Sequence, residues 1–140
     1  MLHRFVAGSS IASVGIACAA FAASVIPSLT WQRAYPLAVM WCFAPLAWGI
    51  WAVLAPAAWV PQRLPTWGSL LGLIAGVLAA FVFNLPVRVL GQTVPTMLRG
   101  AGVVVIVAIY FVLWMLVRAV YGALSPADSA TPPKSHTAAA

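Results

Sequence analysis

Acid is what this sequence lacks. Of its 140 residues one is acidic, Asp128, and glutamate is absent; seven residues are Lys or Arg, and the formal net charge is +6. Charged residues amount to 6% of the chain, against roughly 25% in a soluble domain. A water-soluble protein so short of charge could not cover its surface, so the lipid bilayer is the expected solvent. The cations do not gather either. Arg4, Arg33, Arg63, Arg88, Arg99, Arg118 and Lys134 stand singly along the chain. A nucleic-acid surface needs clustered cations on one face, so nucleic acid is excluded as a partner and membrane lipid takes its place. Isolated arginines between long apolar runs read as anchors at the lipid headgroups.

Histidine and cysteine are as sparse. His3 and His136 lie near the two ends of the sequence, and Cys18 and Cys42 have no partner at metal-ligand or CxxC spacing. Both cysteines fall in apolar runs and read as small packing residues; a disulfide between them fits their depth but has no other support. No metal, haem or other cofactor is expected. Proton-coupled transport calls for a titratable group within the membrane, and the apolar runs hold no Asp, Glu, Lys or His. The small multidrug-resistance transporters have a similar size and four-span plan but work through a membrane-embedded glutamate, so the likeness ends there. Hydrolytic catalysis needs a base beside Ser or Cys, and none is predicted nearby. The chain reads as non-enzymatic.

What is present is hydrophobic, 64% of the residues. The spacing predicts an all-α integral membrane protein with four antiparallel transmembrane helices in an up-and-down bundle with short loops. The spans run over about 5–26, 35–54, 67–86 and 100–120, within a transmembrane domain 1–122 followed by a disordered polar tail, 123–140. The first span is rich in Ala, Gly and Ser and ends at Pro27. Ala20-Phe21-Ala22 satisfies the small-x-small rule for signal-peptide cleavage, but the run is long and lacks a leucine-rich centre, so an uncleaved span is expected. Trp31 and Arg33 mark the short connection that follows. The second span is aromatic, with Pro45 near its middle as a predicted kink. A proline-rich hairpin (Pro56, Pro61, Pro65) at headgroup level leads to the third span.

That third span organises the rest. Trp67 to Leu85 is uncharged and reaches about 28 Å, one bilayer core. Gly68, Gly72, Gly76, Ala80 and Asn84 recur every four residues and predict one stripe, a groove of small residues closed by an amide. Gly15 and Ala19 continue a similar stripe in the first span. Residues 87–99 are too short and polar to cross, and with Gly91 and Pro95 they predict interfacial turns before the last span. The positive-inside rule compares Arg4, Arg63, Arg118 and Lys134 with Arg33, Arg88 and Arg99. It leans toward cytoplasmic termini, with the bacterial inner membrane as the expected location.

Two groups of side chains are candidate sites. Arg33, Asn84, Arg88 and Arg99 are predicted on one side and could form a cationic rim for a lipid-like anion; the simpler reading gives Asn84 to a neighbouring helix and the arginines to lipid phosphates. Trp41, Trp48 and Trp51 could line a flat pocket for a quinone, carotenoid or prenyl chain; the simpler reading is packing beside the Pro45 kink. Tyr110, mid-way along the last span, is expected to reach Ser13 or Ser10. By elimination the sequence points to a small protein that works by helix packing, as an accessory or assembly subunit of a larger membrane complex or as a homo-oligomer. The alternative is a small permeation or lipid-handling protein for an amphiphilic anion.

Overall fold

The computed structural model describes the backbone of residues 1–25 and 31–125, with side chains for all of these except residues 22–23, 31–41 and 89–90. Every regular element is helical. In chain order they are α1 (Leu2–Val25), α2 (Trp31–Leu54), a 3-10 turn (Ala57–Trp59), α3 (Leu64–Val77) running into a π-helical turn (Leu78–Val82), α4 (Leu85–Leu90) and α5 (Thr96–Leu124). Among the described residues three helical stretches are long and apolar enough to cross a membrane: Leu2–Phe21, Leu64–Val82 and Thr96–Leu124. In α2 the described apolar part is the shorter Cys42–Leu54.

Helix boundaries differ from expectation because termini extend into polar flanks. Residues 31–34, expected as a connection, are the first turn of α2, and residues 96–99 are the first turn of α5 rather than interfacial turns. A helix needs no apolar side chains in its first turn, so a hydrophobicity pattern starts late. Ala123 and Leu124, expected in the polar tail, are the last residues of α5; the rest of the expected tail, residues 126–140, lies outside the described residues. α2 continues through Pro45. The Pro45 carbonyl accepts a 2.9 Å bond from Ser9 Oγ on α1.

Two pairs, α1 with α2 and α3 with α5, make the main packing, and α1 against α5 joins them. In the first pair, glycines let backbones meet. A Cβ on Gly8 would lie 2.7 Å from the Trp48 carbonyl oxygen, and one on Gly49 would lie 2.6 Å from the Phe5 ring. The core is small residues around large aromatics: Ala7, Ala12 and Ala52 with Trp48, Leu64, Trp114 and Val117. Trp48 meets Trp114 at 5.5 Å and Tyr110 at 5.0 Å between ring centroids. Aromatic pairs at such separations add about 0.5–1.5 kcal/mol each beyond the area they bury. Ser10 and Ser13 bond the carbonyls of Val6 and Ser9 in their own helix. Tyr110 instead lies over Gly72 and beside Trp48.

One end of the molecule is tied by three devices. Arg4 Nη1 donates to the Ala55 carbonyl just past α2 at 3.2 Å, where the helix leaves carbonyls unpaired and favours a cation. The Tyr121 hydroxyl lies beside the Arg4 and Ser125 side chains. Trp51 and Trp67 stack at 4.7 Å, and each indole N–H donates to the other's carbonyl, at 2.9 and 2.8 Å. This reciprocal pair fixes the turn between α2 and α3, with Trp59 edge-on to Trp67 and Arg63 over Trp59. Removing one N–H by Trp51→Phe or Trp67→Phe is expected to cost about 1 kcal/mol. The double variant should cost less than the two singles together, since each bond holds the ring that makes the other. Chemical unfolding in mixed micelles measures this; strict additivity would refute the coupling.

Candidate functional site

The small-residue stripe of α3 faces α5. Gly68 lies under the Trp114 indole, where a Cβ would overlap the ring atoms. A Cβ on Gly72 would approach Tyr110 Cβ to 2.7 Å, and one on Gly76 would stand 3.3 Å from Val103 Cγ1. Trp114, Tyr110 and Val103 descend one face of α5 as the three glycines ascend α3, so the two helices are antiparallel. Trp114 is completely buried, and its indole N–H has no partner among the described residues. Close approach of backbone to ring takes the place of the hydrogen bond as what holds this contact together.

The stripe reaches Ala80, 5% exposed, but not Asn84. The Phe83 N–H bonds the Leu78 carbonyl at 2.8 Å, an i to i−5 bond that defines the π turn and adds a residue to it. That extra residue rotates everything beyond it off the four-residue line. Asn84 then leaves the helix in the left-handed conformation, φ 54°, which asparagine tolerates better than other non-glycine residues. Pro86 opens α4, and Gly91, φ 70°, caps it. Asn84 is therefore a corner, not a packing residue, and its side chain is exposed.

At that corner Asn84 meets Arg99. Arg99 Nη1 donates to Asn84 Oδ1 at 2.7 Å and Nε donates to the Val94 carbonyl at 2.9 Å. The half-buried guanidinium is thus held at two points. Arg88, on α4, is exposed; the side chain of Arg33 lies outside the described residues. Of the four residues expected to form a cationic rim, the structure joins Asn84 and Arg99 directly. The signal for that junction was present as a polar residue and an arginine flanking a Gly- and Pro-broken segment.

The tryptophans do not share one pocket. Trp48 is 5% exposed and filled on by Tyr110 and Trp114, while Trp51 turns to Trp67; the Trp41 side chain lies outside the described residues. The helix periodicity put them on one face, but Trp48 packs on α5 and Trp51 on α3. A Cβ added at Gly15 would meet nothing of another element within 4 Å among the described residues, and the same holds at Gly100, Gly102 and Gly122. Ala19 is half-exposed, and Cys18 and Cys42 are free and exposed. At the Tyr121 end of α5, Met115, Arg118, Ala119 and Gly122 line a shallow groove of about 230 Å³. Among the described residues no group of three or more His, Cys, Asp or Glu could hold a metal. No protein-family model matches the chain, and neither the curated proteins nor the solved structures contain a significant match.

Proposed function

We propose that this chain is a non-catalytic integral membrane protein whose work is helix packing, as an accessory or assembly subunit of a larger membrane complex or as a homo-oligomer. The observation that carries the reading is a surplus of close-packing surface. The stripe of α3 is consumed internally by Trp114 and Tyr110, whereas a Cβ added at Gly15 on α1 or Gly102 on α5 would meet nothing of another helix within 4 Å among the described residues. Around them Val14, Phe21, Val104 and Val105 are 60%, 72%, 68% and 56% exposed. In lipid, exposed apolar side chains cost little, but small residues let a second helix approach closely enough to gain packing energy.

Four antiparallel spans complete the proposal, with α2 as the fourth. The bond from Arg4 to the Ala55 carbonyl and the place of the Tyr121 hydroxyl beside Arg4 support it, because they gather the start of α1, the end of α2 and the end of α5 on one side. We assign that side to the cytoplasm of a bacterial inner membrane on the balance of arginines. Weighing the particle purified in mild detergent tests the reading. A multiple of the chain mass, or a stoichiometric membrane protein beside it, is expected. The Gly15→Leu and Gly102→Leu pair should reduce that particle to monomer. A strict monomer from the unaltered chain counts against it.

A second reading, a lipid-handling protein that moves an amphiphilic anion along the Arg33, Asn84, Arg88 and Arg99 side, is favoured by the Asn84–Arg99 junction alone. Replacing Arg88 and Arg99 together should abolish transport while leaving assembly intact.

A further inference from the structure

We propose that Arg99, positioned by Asn84, is a binding residue for the phosphate of an anionic phospholipid at the membrane surface. This goes beyond the packing reading and is independent of it.

The first argument is charge. Residues 1–125 contain seven cations less Lys134 and no carboxylate at all. The single acid, Asp128, follows the far end of α5. Arg99 and Leu124 belong to the same helix and stand roughly 38 Å apart along its axis, and the four residues from Leu124 to Asp128 reach at most about 14 Å. The Asp128 side chain therefore cannot reach Arg99, and residues 1–125 offer it no side-chain carboxylate. Arg99 is half-buried as a residue, and a cation at a membrane surface without side-chain carboxylates around it meets an anion chiefly as lipid phosphate.

The second argument is geometry. An exposed arginine ordinarily loses much side-chain freedom when it binds. Here the Nε–Val94 and Nη1–Asn84 bonds have already fixed the group. Of its five N–H donors two are committed to neutral acceptors, and three remain for charge-assisted bonds to phosphate oxygens. The Asn84 carboxamide gives its oxygen to Arg99 and keeps its NH₂ group as a further donor. Asn84 can reach this place because it sits at the left-handed corner that the π turn creates.

The third argument is depth. Arg99 lies in the first turn of α5, and Gly100 to Val117 beyond it carry no charge. The guanidinium thus stands at the edge of an apolar helix long enough to span, level with headgroups rather than in bulk water. This selects a lipid phosphate over a free one.

The full chain in mild detergent, exchanged against defined lipid and weighed by native mass spectrometry, tests the proposal. The wild type should retain phosphatidylglycerol in preference to phosphatidylcholine. R99Q should lower phosphatidylglycerol retention about tenfold, the weight of losing a hydrogen-bonded charge. N84G keeps a residue that adopts the left-handed corner freely, so the fold survives, and loss of the positioning oxygen should lower retention about threefold. R118Q, at the opposite end, should change nothing. Retention by R99Q equal to wild type overturns the proposal, as does an equal fall in R118Q. Displacement of the lipid by inorganic phosphate at matched concentration overturns it too, since the site would then take free anion.

Discussion

Gly68→Ala is expected to separate α3 from α5, although it adds one methyl group. The new Cβ would occupy the space of the Trp114 ring, and Trp114 is completely buried with Trp48 behind it. The ring cannot swing away without displacing the core, so the backbones must part. Overpacking of this kind costs about 1–3 kcal/mol and more where neighbours cannot yield; the upper end is expected here. The same substitution should do progressively less along the helix. At Gly72 the contact to Tyr110 Cβ would be 2.7 Å, and at Gly76 the contact to Val103 would be 3.3 Å, which a shift of a few tenths of an ångström relieves. At Gly102, where an added Cβ would meet nothing within 4 Å among the described residues, alanine should gain about 0.5–1 kcal/mol through lower backbone entropy in the unfolded chain. Unfolding by increasing dodecyl sulfate fraction in mixed micelles reads the series directly. Equal losses at Gly68, Gly76 and Gly102 would show that the stripe is not the α3–α5 contact. A double variant, Gly68→Ala with Trp114→Leu, should recover part of the loss, because the two changes share one space.

Trp114 is the other half of that contact, and its two substitutions should diverge. Trp114→Ala empties the largest fully buried side chain among the described residues and should cost about 3–5 kcal/mol, as large-to-small core changes do. Trp114→Phe removes less volume and also removes the indole N–H that has no partner among the described residues. A buried unsatisfied donor costs about 1–3 kcal/mol, so its loss offsets much of the lost packing. The phenylalanine variant is expected within about 1 kcal/mol of the wild type on the same balance. Mixed-micelle unfolding of both variants measures the split. Equal damage by Phe and Ala would mean that the N–H is satisfied and that the ring acts through it.

How legible these features were varies residue by residue. Gly68, Gly72 and Gly76 could be picked out because a helix repeats its face every four residues whatever it packs against. Their partners could not, since nothing in the spacing of Val103, Tyr110 and Trp114 says which neighbouring helix carries the glycines. Asn84 fitted the same repeat and yet stands apart from the stripe. A π turn adds one residue without any residue type that announces it. Trp48 and Trp51 fitted one face as well, but one is sealed in the core and the other closes a turn with Trp67. Tyr110 went to Gly72 and Trp48 rather than to serines at its own depth, because serine in a helix bonds the carbonyl one turn back.

Composition alone pointed to lipid as the solvent and to helix as the element, and the structure is helical, with three helices among the described residues long and apolar enough to cross a membrane. With almost no charge, and no acid before Asp128, long apolar runs can satisfy their backbone in lipid only as helices. Which helix lies beside which, where α3 unwinds, and that Arg99 is gripped by Asn84 were decided in the tertiary structure. In a bilayer, apolar side chains gain nothing by leaving lipid for one another, so hydrophobicity cannot choose partners. Shape does, at contacts as small as a glycine under an indole, and shape exists only once two helices have met.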